Sequence, residues 1–263
     1  MVLDLEKRTY LLVTGASRGI GQRMAVDVSA KLKAGSLIVL LARSEQGLAQ
    51  TKASITALGN DLNVITFSID LSSATATQFQ ELLAKSLDGT KASNFERAFI
   101  IHNAGSVGDV SKSAIDVSDT TVWQQYYHMN VFSVISLNCE FFRAFNCLPK
   151  IVVNISSKCG IEPYASMSFY CSGKAARNMY FRVLATEQAD EDVVVLNYAP
   201  GAIDTDMTVL VQRESINKEL AGFFKMQRDT KTMLTTEQTT KKFLLVLEAQ
   251  KFKSGDHVDY WDE

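Results

Sequence analysis

The chain is 263 residues long, with 46% hydrophobic residues and 27 basic side chains against 29 acidic ones. That is enough apolar material for one large α/β domain or two small ones, and a formal net charge of −2 argues against a protein built mainly to bind nucleic acid. The four cysteines (Cys139, Cys147, Cys159, Cys171) form no Cys-x-x-Cys pair and the three histidines no His-x-x-x-His cluster, so no metal site is expected and the thiols read as free in a reducing compartment.

In chain order, short apolar runs alternate with longer amphipathic ones. Residues 10–13 form the first strand-like run, followed by a helical pattern over about 20–32. Residues 37–41 form the second, followed by a helix over about 45–58. Residues 63–67, 98–101, 151–155 and 193–196 are further strand-like runs, and 120–145 is a long helical segment. The runs are β-branched-rich and nearly continuous in apolar character, as parallel strands buried on both faces are. Their alternation with helices predicts an α/β fold, a doubly wound parallel sheet of Rossmann type with about seven strands and helices on both faces. No linker or repeat interrupts it, so residues 1–263 read as a single dinucleotide-binding and catalytic domain. Residues 205–235 break the rhythm: they are polar, contain methionine, show no clear strand, and read as an insertion covering the substrate. Residues 1–8 are charged, and no run reaches about 18 uninterrupted apolar residues. Neither a signal peptide nor a membrane span is therefore expected, and the expected location is cytoplasmic.

Between the first strand and first helix stands Thr14-Gly15-Ala16-Ser17-Arg18-Gly19-Ile20-Gly21. Glycines there permit a tight turn and close backbone approach to a pyrophosphate, and the helix start offers free N–H groups to the anion. The spacing is Gly-x-x-x-Gly-x-Gly, and the strand–turn–helix context is what favours a dinucleotide over an ordinary glycine turn. The second strand ends in Leu41-Ala42-Arg43-Ser44, with an arginine and no acid. Arg18 and Arg43 each alone suit a solvated surface; together, with no competing carboxylate, they favour the 2′-phosphate of NADPH. Asp70 either bonds the adenine edge or caps a helix before Ser72.

Tyr170 and Lys174 lie four apart and share a helix face. An ammonium beside a phenol draws its pKa from about 10 toward neutrality, which makes Tyr170 a general acid for a carbonyl oxygen receiving hydride. Ser157, at the end of the fifth strand, donates a hydrogen bond to the same oxygen. Asn130, within the 120–145 segment, holds a water that relays protons through Lys174. Each is weak alone; the order glycine loop, Asn, Ser, Tyr, Lys makes a reductase the leading reading.

On these residues, with His102-Asn103-Ala104-Gly105 and Pro200-Gly201, the chain resembles the short-chain dehydrogenase/reductase family over essentially its whole length. The resemblance implies catalytic roles for Asn130, Ser157, Tyr170 and Lys174. It implies NADPH contacts from Gly15, Ser17, Arg18, Gly19, Ile20, Gly21, Arg43, Asp70, Leu71, Asn103, Tyr170, Lys174, Gly201, Ile203, Thr205 and Met207. It also implies a homodimer through the helices near 120–146 and 168–189. His102 departs from the pattern, since many members carry a second asparagine there.

Residues 105–112, 196–207 and 252–259 resemble a branch of the family that reduces side-chain carbonyls on pterins in tetrahydrobiopterin synthesis. In that branch an acid near the C-terminus anchors the pterin, and Asp259 takes that place, joining Ser157, Tyr170 and Gly201 as substrate contacts. A carboxylate accepts the adjacent N–H and amino groups of a pterin edge as it accepts a guanidinium. From spacing alone Asp259 is one acid in a solvated tail. The rival readings are a broad-range ketone and diketone reductase of the same family and a non-catalytic NADPH-binding regulator on the same fold.

Overall fold

The computed structural model describes residues 3–262. Its strands are β1 (Thr9–Thr14), β2 (Leu37–Ala42), β3 (Asn63–Ser68), β4 (Arg97–His102), β5 (Lys150–Ile155), β6 (Val193–Ala199) and β7 (His257–Asp259). All pair in parallel, in the order β3-β2-β1-β4-β5-β6-β7. Tyr10 and Leu12 of β1 face one way and Leu11 and Val13 the other, as the two-residue period of a strand requires. Leu11, Val13, Ile38, Leu40, Phe99 and Ile101 pack with Met24 and Val28 of α1 (Gly19–Ser29) and with Phe243 and Leu247 of α9 (Thr236–Ala249). Tyr10, Leu12, Val39, Ile100 and Val152 pack on the opposite face. Their partners are Phe79 and Leu83 of α3 (Ala76–Leu87), Phe141 of α5 (Ser133–Ala144) and Phe181 of α6 (Ser168–Glu187). Each such apolar side chain contributes roughly 1.5–3 kcal/mol on burial, and the double cover explains the unbroken apolar runs of the sequence.

Strand order reverses between β1 and β4, where a doubly wound sheet opens a crevice beyond its carboxyl edge. The candidate residues gather on that edge. Gly15 follows β1, Arg43 follows β2, Asp70 follows β3 and Asn103 follows β4. Ser157 follows β5, Gly201 follows β6, and Asp259 ends β7.

The seven-stranded parallel sheet is as expected, and three regions gain detail. Segment 120–145 is two helices, α4 (Thr120–Tyr127) and α5, joined by a π turn, His128–Phe132. Residues 205–235 hold two helices, α7 (Asp206–Glu214) and α8 (Lys218–Asp229). Val211 is the only described residue of the two that is buried; the helices carry an apolar stripe with Met207, Leu210, Leu220 and Phe224, which their polar composition overall masks in the sequence. The seventh strand, three half-buried residues long, is too short for alternation to show. Among the described residues no helix is long and apolar enough to cross a membrane, and no group of three or more His, Cys, Asp or Glu could hold a metal ion.

His102 ends β4 fully buried, its ring Nε2 3.2 Å from Asn138 Oδ1. Burial first, then the Arg177 charge, pushes its pKa down to about 3. The folded state therefore keeps His102 neutral while the unfolded chain protonates it below about 6.5. Its contribution to stability is whole above that pH and is lost as pH falls toward the folded value, at up to about 1.4 kcal/mol per pH unit. Urea unfolding of wild type and His102→Asn between about pH 7 and pH 4.5 should give the steeper loss in wild type. Equal slopes would clear His102 of the effect.

Candidate active site

The glycine loop is shaped by Asn103. Its Nδ2 donates to Thr14 O (3.0 Å) and Gly15 O (3.2 Å), while Thr14 Oγ1 accepts from Asn103 N and Ala104 N, both 3.0 Å. Gly15 has φ +66, and a Cβ on Gly21 would lie 2.3 Å from both Asn103 Nδ2 and Gly15 O. No side chain would fit there. Arg18 stands at the N-cap of α1 in extended conformation with no side-chain cap, which leaves the first N–H groups of α1 to an anion. Ser17 lies against Gly47 of α2 (Glu45–Thr56), where a Cβ would approach Ser17 O to 2.6 Å. Ile20 packs into the core below the loop. These features fit a pyrophosphate.

Arg18 and Arg43 are both exposed near this loop. Arg18 Nη1 already meets Asp206 Oδ2 of α7 at 2.6 Å. Asp70 accepts from Ser72 N at 2.9 Å, and this bond, then the nearby Arg43 charge, helps hold its carboxyl below the ordinary value. The helix-cap alternative for Asp70 is corrected, because α3 starts at Ala76 and is capped by Thr75. Asp70 closes a turn, and Leu71 beside it is buried.

Tyr170, Lys174 and Arg177 share the inner face of α6. Lys174 Nζ donates to Ile155 O at 2.6 Å and lies 5.4 Å from the Tyr170 ring centre. Ser157 is two residues past β5, and its Oγ accepts from Cys159 N at 3.2 Å in the turn Lys158–Gly160. Asn130 belongs to the π turn. Its Nδ2 donates to Tyr126 O (2.9 Å) and its Oδ1 accepts from Ser106 N (2.7 Å). A Cβ on Gly105 would stand 3.3 Å from Asn130 Oδ1 and 3.9 Å from Lys174 Nζ, so the two groups converge on one glycine.

The expected fall of the tyrosine pKa is corrected by this geometry. Burial first, then Cys159, drives the Tyr170 phenol above its ordinary value, against a Ser157 hydrogen bond and the Arg177 charge. Burial, then the neighbouring Arg177, holds Lys174 well below its own. Desolvation outweighs the pairing that the four-residue spacing suggests.

On the far side, Asp259 pairs in register with Ala199, just before Pro200 and Gly201. Its Oδ1 accepts from Trp261 N at 3.1 Å, and its charge raises the pKa of Lys158, the residue after Ser157, as a minor contribution beside Glu162. Gly201 has φ +79. Ile203 is buried and bridges to Leu234, while Thr205 N donates to Thr208 Oγ1 (3.2 Å) at the start of α7. Met207, Leu210, Leu220 and Phe224 of α7 and α8 pack with Tyr164 and Tyr170. A surface cavity of about 840 Å³ lined by Leu3, Leu5, Lys33, Asn60 and Glu248 lies at the amino edge of the sheet, where none of the candidate residues lies.

The family model for short chain dehydrogenase matches residues 9–215. Sepiapterin reductase of Xenopus tropicalis is 37% identical over 254 residues, covering 95% of each chain. This chain is a short-chain dehydrogenase/reductase. Benzil reductase ((S)-benzoin forming) of Bacillus cereus is 26% identical over 260 residues, covering 95% of this chain and 98% of the relative. A solved short chain dehydrogenase from Shigella flexneri 2a, complexed with NADP, superposes with TM-score 0.78 at 25% identity, covering 98% of this chain and 99% of the other. Membership makes the protein a nicotinamide-dependent oxidoreductase, and it is more similar to the sepiapterin reductase than to the benzil reductase.

Sequence reasoning missed one residue of this short-chain dehydrogenase/reductase site. Arg177 is fully buried, and its guanidinium donates to Asn154 Oδ1 (2.7 Å), Ala104 O (3.0 Å) and His102 O (2.6 Å). The available signal was its place seven after Tyr170 and three after Lys174, on the same helix face. Arg177→Met would leave these buried acceptors without their donor, at a cost of roughly 3 kcal/mol. Calorimetry should show the melting temperature falling by about 5–10 °C; an unchanged value would mean the acceptors find other partners.

Proposed function

We propose that the protein uses NADPH to reduce side-chain carbonyls of pterins, of the sepiapterin and 6-pyruvoyl-tetrahydropterin type, in tetrahydrobiopterin synthesis. The observation that carries this reading is the position of Asp259, at the sheet's carboxyl edge beside the Gly201 loop and within charge range of the turn that bears Ser157. The 37% identity to a sepiapterin reductase supports it. When bound, NADPH supplies the hydride. Arg18 and Arg43 meet its 2′-phosphate, and the Gly15–Gly21 loop with the free N–H groups of α1 receives its pyrophosphate. Asp70, Leu71 and Asn103 line the adenosine side. Gly201, Ile203, Thr205 and Met207 line the nicotinamide side.

Ser157 and Tyr170 bind the carbonyl oxygen, and the Tyr170 phenol gives its proton to that oxygen as charge develops on it. Burial keeps the phenol protonated and makes it a weaker acid, so its proton leaves only as strongly basic alkoxide charge develops on the carbonyl oxygen. Lys174 and Asn130 form the return path by which Tyr170 is reprotonated. Asp259 accepts two hydrogen bonds from the pterin edge and so sets the distance from edge to carbonyl. Residues 205–235, through α7 and α8, cover the substrate. The exposed Phe132, at the end of the π turn leading into α5, and Met179 and Val183 of α6 support a homodimer through the α4–α5 segment and α6. The similarity to a benzil reductase supports small diketones as further substrates.

Cofactor choice is tested with Arg43→Ala. KM for NADPH should rise by roughly tenfold or more, since a charge-assisted contact is worth about 1.5–3 kcal/mol, with little change for NADH. Equal weakening of both would place Arg43 away from the 2′-phosphate.

Substrate choice is tested by kcat/KM for sepiapterin and for a small diketone in wild type, Tyr170→Phe and Asp259→Asn. Tyr170→Phe should lose about 10²- to 10⁴-fold on both. Asp259→Asn should lose tens- to several-hundredfold on sepiapterin only, for about 2–4 kcal/mol of contact. Parallel losses in Asp259→Asn would make it a support of the fold. No loss on either would make it part of an acidic tail.

A further inference from the structure

The turn after β7 closes beside the Gly201 loop. Tyr260 N donates to Ala199 O at 2.8 Å, so the chain beyond β7 stays against the end of β6. Asp262 N donates to Asp259 O at 3.0 Å and closes the turn, and Asp262 Oδ2 accepts from Asp259 N at 2.7 Å. Inside that turn Trp261 N donates to Asp259 Oδ1 at 3.1 Å. The carboxylate read as the pterin anchor and the backbone that carries the Trp261 indole are therefore held to each other.

The indole has a defined place. A Cβ on Gly201 would stand 3.5 Å from Tyr260 Cβ and 3.7 Å from Trp261 Nε1, so the ring reaches the Gly201 loop. The Tyr260 ring meets it edge-on, with centroids 4.8 Å apart and planes at 85°. The rest of it is open, since Trp261 is 71% exposed. The chain's other tryptophan, Trp123, is half-buried and packed on Phe169 at 4.1 Å between centroids. A single exposed ring is ordinary on a protein surface and contributes little to the core. What sets Trp261 apart is its company. Asp259 offers acceptors that suit the edge of a flat heterocycle and leave both faces of that heterocycle to water. An indole two residues from the acid supplies the missing surface, because planar rings pair at centroid separations of about 4.5–7 Å.

We propose that Trp261 is a specificity-determining residue, whose indole stacks on the fused ring of the substrate while Asp259 holds that ring by its edge. The role rests on reading Asp259 as the pterin anchor. It adds a chemical class to that reading: flat, fused heterocycles bearing a side-chain carbonyl are favoured over open-chain ketones and diketones. Only the former present an edge to the acid and a face to the indole at once.

The stacked ring takes no part in hydride transfer, so its contact with the indole is the same in the bound substrate and in the transition state. Such uniform binding appears in KM and leaves kcat nearly alone. An aromatic ring of another size supplies the same kind of surface, whereas a branched aliphatic side chain does not. The two kinds of replacement therefore separate stacking from mere apolar bulk.

The test compares full-length wild type with Trp261→Leu and Trp261→Phe. In Trp261→Leu, KM for sepiapterin should rise by about ten- to a hundredfold, the worth of one stacked heterocycle, with kcat little changed. Trp261→Phe should recover most of that loss. A small aliphatic diketone has no ring to stack, so its KM should rise far less than that of sepiapterin. Biopterin, a pterin whose side chain holds hydroxyls and no carbonyl, reads binding without turnover. It should quench tryptophan emission in wild type and leave that of Trp261→Phe, which comes from Trp123, nearly unchanged. An unchanged sepiapterin KM in Trp261→Leu would overturn the proposal, as would equal losses in the Leu and Phe variants, an equal rise on the diketone, or equal quenching in wild type and Trp261→Phe. Wild type that neither reduces sepiapterin nor binds biopterin would overturn the substrate reading and the stacking with it. Wild type that reduces sepiapterin no better than Trp261→Leu does would overturn the stacking alone.

Discussion

A buried guanidinium fixes the geometry on which the rest of the site depends. Arg177 donates to the carbonyls of His102 at the end of β4 and Ala104 beyond it, and to the side chain of Asn154 on β5. Removing a charge from water is costly unless its donors are used, and burial lowers even this guanidinium to a pKa of about 10. The helix bearing it is therefore held in one position along the sheet. Tyr170 and Lys174 ride on the same helix, so their place relative to β5 and Ser157 follows from where Arg177 is anchored.

A chain of amides extends this anchor toward the C-terminus. Asn154 donates to Asn178 Oδ1 (3.3 Å) and Asn197 Oδ1 (2.8 Å), and Ser156 donates to Asn178 Oδ1 (2.6 Å). Asn197 Nδ2 reaches Gly255 O (3.0 Å), and Asn178 Nδ2 lies 3.3 Å from His257 Nδ1. Buried polar networks of this kind specify one arrangement when their members are satisfied. Here the network links β5, α6 and β6 to the segment that carries Asp259. Asp259, proposed to hold the substrate, and Ser157 and Tyr170, proposed to bind its carbonyl, thus share one frame.

Five strands were legible in the sequence because their double burial leaves no polar face, and the edge strand β3, only partly buried, was legible through its β-branched and aromatic residues Val64, Ile65, Thr66 and Phe67. The glycine loop was legible because Gly15 and Gly21 leave no room for a side chain beside Asn103. The Tyr170–Lys174 pair was visible in its spacing, but its electrostatics were not, since burial is a property of the packed molecule. β7 was hidden by its length, and α7 and α8 by their polar composition. The π turn that aims Asn130 leaves no mark on the apolar pattern of 120–145. The spacing puts Arg177 on the helix face of Tyr170 and Lys174, but nothing local to a residue records that three acceptors converge on it. Asp259 was visible only through resemblance; as spacing it was one acid among several.

The ion pair between Arg18 and Asp206 joins the glycine loop to the first turn of α7. Both side chains are about three-quarters exposed, at 75% and 74%. Such a contact contributes about 0–1 kcal/mol and weakens as salt rises. It is therefore a clasp that ordinary thermal motion can undo. This tie between the glycine loop and α7 is worth less than a single good hydrogen bond to a charged group, so the ionic strength of the surroundings sets how firmly the two segments are clasped.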